Sequence, residues 1–176
     1  MKIILLSGKA EAGKTTAAQY ISLKLSAENK TSAIIPYGQY VKDTAKMIYG
    51  WDGKKDEFGR YILQQWGTDI VRKKEPNFWV DTVKRLVSVA YDALDVVLID
   101  DCRFPNEITC WDDFPADIYT IRIKRPGWEN ALTPEQRKHP SETSLDKWKF
   151  DYVISAKNKT KLYKKLDPII DMIKGG

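Results

Sequence analysis

The sequence predicts an α/β fold: a five-stranded parallel sheet flanked by helices, in a single domain. Three observations predict it. Short aliphatic and β-branched runs recur along the chain, each with the length and composition of a buried parallel strand. Between them lie segments whose apolar residues repeat every three or four positions, the spacing of an amphipathic helix. The 176 residues are enough for one domain with a sizeable core and too few for two ordinary ones, and no internal repeat or low-complexity linker divides them.

The first strand is Lys2 to Leu6, and a helix follows from Lys14, with Ala17, Ala18, Ile21 and Leu25 inward and Lys24 and Glu28 toward solvent. Compact apolar runs place a second strand at Ser32 to Pro36, a third at Val96 to Asp100, a fourth at Ile118 to Ile123 and a fifth at Tyr152 to Ser155. Trp79, Val83, Leu86, Val87, Ala90 and Leu94 mark a helix opened by Pro76 and Asn77. Leu162, Leu166, Ile169, Ile170 and Ile173 form a closing apolar stripe, with a kink or restart expected at Pro168. Strands alternating with helices imply right-handed crossovers, and ligands of such sheets bind beyond the carboxyl ends of the strands.

Between the first strand and its helix stands SGKAEAGKTT, residues 7–16, in which Gly8, Gly13, Lys14 and Thr15 have the P-loop spacing. Glycines let the backbone curl round an anion, while backbone N–H groups and the positive end of the helix dipole meet phosphate oxygens. The Lys14 ammonium can reach the β- and γ-phosphates, and the Thr15 hydroxyl can ligate Mg²⁺. The bland alternative, a glycine turn with an accidental lysine, is disfavoured by the strand and helix on either side. Glu11 is the odd tenant, because a carboxylate near phosphates repels them; it is expected to point outward into water.

After the third strand, DDCRFPNE (Asp100 to Glu107) puts two carboxylates and a guanidinium at the ligand edge. One acidic residue there can hold the water shell of Mg²⁺, with Asp100 and Asp101 both available. Arg103 can bind a phosphate bidentately or offset the charge of a transferring phosphoryl group. The plainer reading is a helix cap and a surface ion pair, for which Asn106 and Glu107 are suited. The stretch 37–74 is longer than a simple connection requires and spreads Lys42, Arg60 and Arg72 through elements that can fold over one acceptor phosphate. Trp51 and Trp66 offer flat faces for a base, although Phe58, Ile62 and Trp66 have a helical spacing more usual in a core. KRPGWENALTPEQRKHPSE (Lys124 to Glu142) is polar, proline-punctuated and rich in cations, and 124–147 reads as a lid that excludes water from a phosphoryl transfer.

Composition bounds the partners. The excess of 29 basic over 24 acidic residues gives +5. The basic residues are scattered, and Lys157, Lys159, Lys161, Lys164 and Lys165 read as a solvated helix face, so no nucleic-acid partner is expected. A phosphate-rich small substrate accounts for the excess equally well. No apolar run approaches the roughly 18 residues of a membrane span, and the N-terminus has no basic region followed by a cleavable apolar segment. A cytoplasmic protein with no membrane partner is expected, with Cys102 and Cys110 as reduced thiols. His139, the only histidine, cannot make a metal site alone.

Taken together, the N-terminal P-loop, Lys42, GRYILQQWGTDIVR, DDCRFPNE and HPSE, in this order, resemble the deoxynucleoside monophosphate kinases of bacteriophages and related bacterial genes. The most specific part is Asp-x-Arg-Phe-x-Asn-Glu, met by Asp101, Arg103, Phe104, Asn106 and Glu107. The resemblance covers Met1 to about Asn158 and implies a P-loop kinase three-layer sandwich with acceptor-binding (37–74) and lid (124–147) insertions. It implies ATP and Mg²⁺ at Gly8, Lys9, Ala12, Gly13, Lys14, Thr15 and Thr16, with Thr15 and, by alignment, Asp101 serving the metal. It implies a deoxynucleoside monophosphate among Lys42, Arg60, Gln64, Arg72 and Glu107, with Asp101 and Arg103 beside the transferred group. Arg125, Arg137, His139 and Glu142 would belong to the lid, one of the two arginines acting on the transferred phosphate and His139 and Glu142 serving the substrate.

The runner-up is a kinase of the same architecture for a ribonucleotide or a non-nucleotide acceptor. A GTP-dependent switch is suggested by the Ser-Ala-Lys at Ser155 to Lys157, but such switches need an earlier Asn-Lys-x-Asp, and Asn29-Lys30-Thr31-Ser32 lacks the aspartate. A nucleic-acid-stimulated ATPase rests on the basic balance alone. A monomer or homodimer is expected.

Overall fold

A computed structural model describes residues 1–175. Its centre is one parallel sheet of five strands, β1 (Lys2–Ser7), β2 (Ser32–Ile34), β3 (Val96–Cys102), β4 (Asp117–Lys124) and β5 (Tyr152–Ser155), in the order β2-β3-β1-β4-β5. Side chains of a strand alternate between faces, and both faces here are apolar. Ile4, Leu6, Leu98, Ile121, Ile123 and Ile154 meet α1 (Lys14–Ser26) and α8 (Lys159–Gly175) on one side. Ile3, Leu5, Val97 and Ile99 meet Val80, Val83 and Val87 of α4 (Phe78–Val89) on the other.

Two strand ends differ from the sequence expectation by two residues. β2 stops at Ile34, two residues early: Ile35 adds one more bond to the Leu98 carbonyl, and the next N–H on that edge, Tyr37, turns to the Asp101 carboxylate instead of continuing the ladder. β3 runs on to Cys102, paired with Ser7 of β1, so Asp100 and Asp101 lie within the strand and face opposite ways. α8 passes through Pro168 without a break. The carbonyl that loses its partner there belongs to exposed Lys164 and is open to water, which lowers the cost of an internal proline.

The long connection after β2 folds as α2 (Gly38–Tyr49), α3 (Glu57–Gln64) and a π-helical segment (Gln65–Arg72) that continues α3 directly. Asp56 caps α3 by accepting the Gly59 N–H, and Trp79, fully buried on α4, donates its indole N–H to the Gly67 carbonyl at 2.9 Å. Within 124–147 lie α6 (Pro134–Lys138), opened by a reciprocal Thr133–Gln136 capping box, and α7 (Pro140–Thr143). Between β3 and β4 sits α5 (Asn106–Thr109).

Trp79→Phe removes the N–H that ties α4 to the Gly67 carbonyl and leaves a small void. It should cost about 1–3 kcal/mol, read as a fall in Tm of about 2–4 °C per kcal/mol for a chain of this size. An unchanged melting curve would show that the indole N–H contributes nothing to seating this segment.

Candidate active site

The stretch from Gly8 to Gly13 turns β1 into α1. Gly13 takes φ +100°, in the left-handed region, and a Cβ on Gly8 would sit 2.5 Å from the Ile123 carbonyl oxygen, so both positions require glycine. The Lys14 ammonium is folded into this loop and donates to the carbonyls of Gly8 and Lys9, at 2.9 Å each. Burial first, and then the Arg103 guanidinium, push its pKa down to about 7, against the pull of Glu142, Asp101 and Asp100.

The adjacent carboxylates of β3 have separate duties. Asp100 accepts the Thr15 hydroxyl at 2.5 Å. Asp101 accepts the backbone N–H groups of Tyr37 and Gly38, at 2.9 and 2.7 Å, and so fixes the start of α2. Burial raises the Asp101 pKa, opposed first by the Gly38 N–H. The carboxylate that accepts the Thr15 hydroxyl is Asp100; Asp101, which the resemblance puts at the metal and beside the transferred group, projects from the other face of the strand and also lines the cavity. Thr15 and Asp100 supply hard oxygen donors suited to Mg²⁺. Among the described residues no group of three or more His, Cys, Asp or Glu could hold a metal unaided, so such an ion would depend on ligand oxygens as well.

A cavity of about 560 Å³ runs from Lys14, Thr15 and Thr16 across Asp100 and Arg103 to Lys42, Lys55, Arg60, Gln64, Thr68 and Arg72. Lys55 was absent from the sequence reading, because it sits in a charged run (Asp52 to Glu57) that resembles a solvated turn. It is exposed at the cavity mouth, yet partial desolvation, with Lys42 and Arg60 nearby, lowers its pKa. Arg72 donates to Glu107 at 2.5 Å and to the Asn106 side chain at 3.1 Å, and its guanidinium lies 4.1 Å over the Phe104 ring. Glu107, expected as a substrate contact, lines the cavity and is held by Arg72. It also accepts the N–H groups of Arg103 and Phe104, and burial pushes its pKa up to about 7 against Arg72 and those bonds.

Other expected contacts also differ. Trp66 donates to the Thr44 hydroxyl at 2.7 Å, Trp51 to the Lys54 carbonyl, and neither lines the cavity; Phe58, read as core, is exposed. Lys9 turns from the loop to the Glu142 carbonyl and the Asp146 carboxylate. Of the two arginines expected in a lid, Arg125 lines the cavity with its guanidinium 3.7 Å from the Trp128 ring centre, whereas Arg137 faces outward and bonds to Asn130. His139 is a helix cap, its Nδ1 accepting the Ser141 N–H, while its buried Nε2 lies 3.8 Å from Asp69 without a hydrogen bond; burial lowers its pKa. Glu142 is buried against the P-loop, accepting the Ala10 N–H at 2.9 Å and pairing with the Arg103 guanidinium. That pairing replaces the Asp101 or Glu107 partner that a surface ion pair would have given Arg103. Glu11 is not in water alone: Arg60 donates to it at 2.9 Å and Trp128 at 3.3 Å.

No protein-family model matches the chain, and no curated protein matches it in sequence. Solved structures do match in shape. The Mycobacterium tuberculosis APS kinase in complex with AMPPNP and APS is 11% identical with a TM-score of 0.55, covering 98% of this chain and 97% of that one. A sugar kinase from a Janibacter species is 12% identical with a TM-score of 0.57, covering 97% and 95%. The chain has the P-loop kinase fold. None of its helices is long and apolar enough to cross a membrane, among the described residues.

The Lys14 shift has a measurable sign. A lysine held at about pH 7 is mostly neutral at pH 8, and a phosphate anion drawn into the loop restores its charge, so binding takes up a proton. Calorimetry with tripolyphosphate at pH 8, in two buffers of different ionisation enthalpy, should give an uptake approaching one proton, lost in Lys14→Met. By the same linkage the buried charge costs stability below about pH 7, and that cost fades as pH rises toward 10.5. Binding without proton uptake would remove Lys14 from the anion site.

Proposed function

We propose that the protein is an ATP-dependent kinase that transfers a phosphoryl group to a deoxynucleoside 5′-monophosphate, giving ADP and the diphosphate. The observation that carries this reading is the shared cavity. The P-loop lines one end, Lys42, Lys55, Arg60, Gln64 and Arg72 line the other, and Arg103 stands between them. That is the arrangement for two phosphate-bearing molecules brought end to end.

The acceptor nucleophile is a phosphate oxygen, already ionised at neutral pH, so the reaction needs positioning and charge neutralisation rather than a strong base. Lys14, recharged when phosphates enter, neutralises the donor. Thr15 and Asp100 would hold Mg²⁺, which when bound would neutralise donor phosphate charge. Arg103 is clamped at one Nη by Glu142, leaving the rest of its planar fork for the transferring group. Arg60, Lys42 and Lys55 receive the acceptor phosphate. The Gln64 amide offers both a donor and an acceptor to a base edge, with Phe104 and Trp79 as flat apolar neighbours. Arg125 at the lid side faces the donor phosphates.

The reading is tested by measuring ADP formation from MgATP with each common deoxynucleoside and ribonucleoside monophosphate separately. Turnover with deoxynucleoside monophosphates supports it, turnover only with ribonucleotides moves it to the runner-up, and no turnover with any overturns it. In the active pair, Arg103→Ala should lower kcat and kcat/KM together by at least roughly a hundredfold, the scale of one lost preorganised contact. Lysine should rescue little, because its point charge does not reproduce the fork. A lowered Tm with unchanged kcat would reduce Arg103 to a structural ion pair.

A further inference from the structure

Glu11 occupies a place where its charge and its backbone are both unfavourable. It lies in the loop that meets phosphates, and its φ of +61° is in the left-handed region that costs a β-carbon-bearing residue of this kind about 1–3 kcal/mol. Glycine would satisfy the turn without strain. What glycine lacks is the carboxylate, and that carboxylate bridges the two insertions. One oxygen accepts from Arg60 Nη2 at 2.9 Å, on α3 of the acceptor side. The other accepts the Trp128 indole N–H at 3.3 Å, on the lid side, and the Trp128 ring carries the Arg125 guanidinium 3.7 Å from its centre.

The bonds of Arg60 are directional. Its Nε donates to the Lys55 carbonyl at 2.9 Å and its Nη2 to Glu11, so the planar group is fixed at two points while Nη1 has no partner among the described residues. Arg60 and Arg125 both line the cavity. A second link between the insertions, from the Gln136 side chain to the Glu57 carbonyl at 3.3 Å, shows that lid and acceptor helix already touch where Glu11 bridges them.

We propose that Glu11 is a positioning residue that sets Arg60 for the acceptor phosphate and, through Trp128, Arg125 for the donor, so that one P-loop side chain holds both insertions in register. Arg60 in return neutralises the carboxylate, which removes its repulsion of the incoming phosphates. The assignment to acceptor and donor rests on the phosphoryl-transfer reading; the bridge itself does not.

The test uses the full chain without ligand. Hydrogen exchange of backbone amides is measured in 57–64 and in 126–138 for wild type, Glu11→Gln and Glu11→Gly. Both variants should raise exchange in both segments by about fivefold, the scale of one lost charge-assisted bond. Glu11→Gly should at the same time keep or raise Tm, because the left-handed turn favours glycine. Trp128→Phe, which keeps an aromatic face for Arg125 but loses the N–H, should loosen 126–138 and leave 57–64 unchanged. Exchange that is unchanged in either segment of Glu11→Gly would overturn the bridge. So would a fall in Tm with loosening spread through the sheet, since that marks a merely structural role. In the kinetic arm, Glu11→Gln should raise KM for the monophosphate about tenfold through Arg60 and KM for ATP about threefold through Arg125, with kcat within about twofold, as expected for lost uniform binding. If wild type phosphorylates no monophosphate while the exchange pattern holds, the acceptor assignment falls and the bridge stands.

Discussion

The geometry of the site depends on the carboxyl end of β3, where two adjacent carboxylates project to opposite faces of the sheet. Asp100 meets the first turn of α1 through the Thr15 hydroxyl, and Asp101 meets the N–H groups that open α2. The P-loop and the insertion of residues 37–74 are therefore both referenced to the same two residues of one strand. A few residues on, Glu107 closes the turn by accepting the Arg103 and Phe104 N–H groups and pairing with Arg72. The period-two alternation of a strand thus becomes the separation between the P-loop side and the α2 side of one cavity.

Three of the four cavity arginines share one design. Arg60, Arg72 and Arg103 each pair with a carboxylate from a different part of the chain, respectively Glu11, Glu107 and Glu142. A long cation held at one edge by a carboxylate loses rotamer freedom before any ligand arrives, which lowers the cost of ordering it later. It also keeps a cation-lined cavity from repelling itself. Lys14 and Lys55 have no such carboxylate clamp, and they are the two cavity lysines whose pKa values fall on burial. The cavity therefore combines guanidinium groups held by carboxylates with ammonium groups whose pKa values are lowered by burial.

Much of this was legible in the sequence where the signal is local. The P-loop is read from four residues with fixed spacing, and β1, β3, β4 and β5 from aliphatic runs that only a buried parallel strand explains. The acceptor insertion was legible only as a long, cationic stretch. Its π-helical segment has a wider turn than the 3.6-residue period, so Trp66 was grouped with Phe58 and Ile62, whereas the cavity face is carried by Arg60, Gln64, Thr68 and Arg72. The choice of Asp100 or Asp101 turns on where β3 ends, a property of its pairing with β1 that no local pattern records. The roles of His139, Glu142 and Glu11 were hidden for the same reason: each depends on a partner brought near by the fold, at Ser141 and Asp69, at Ala10 and Arg103, and at Arg60 and Trp128.

The central claim is that donor and acceptor phosphates meet in one cavity between the P-loop and the α2 to π-helix insertion. A compound that joins adenosine to a deoxynucleoside through five phosphates tests it by competition binding. The account predicts one equivalent bound, competitive with both ATP and the monophosphate, and at least about a hundredfold tighter than ATP because the second half binds at high effective concentration. A compound that displaces ATP alone, and binds no more tightly than ATP, would contradict it.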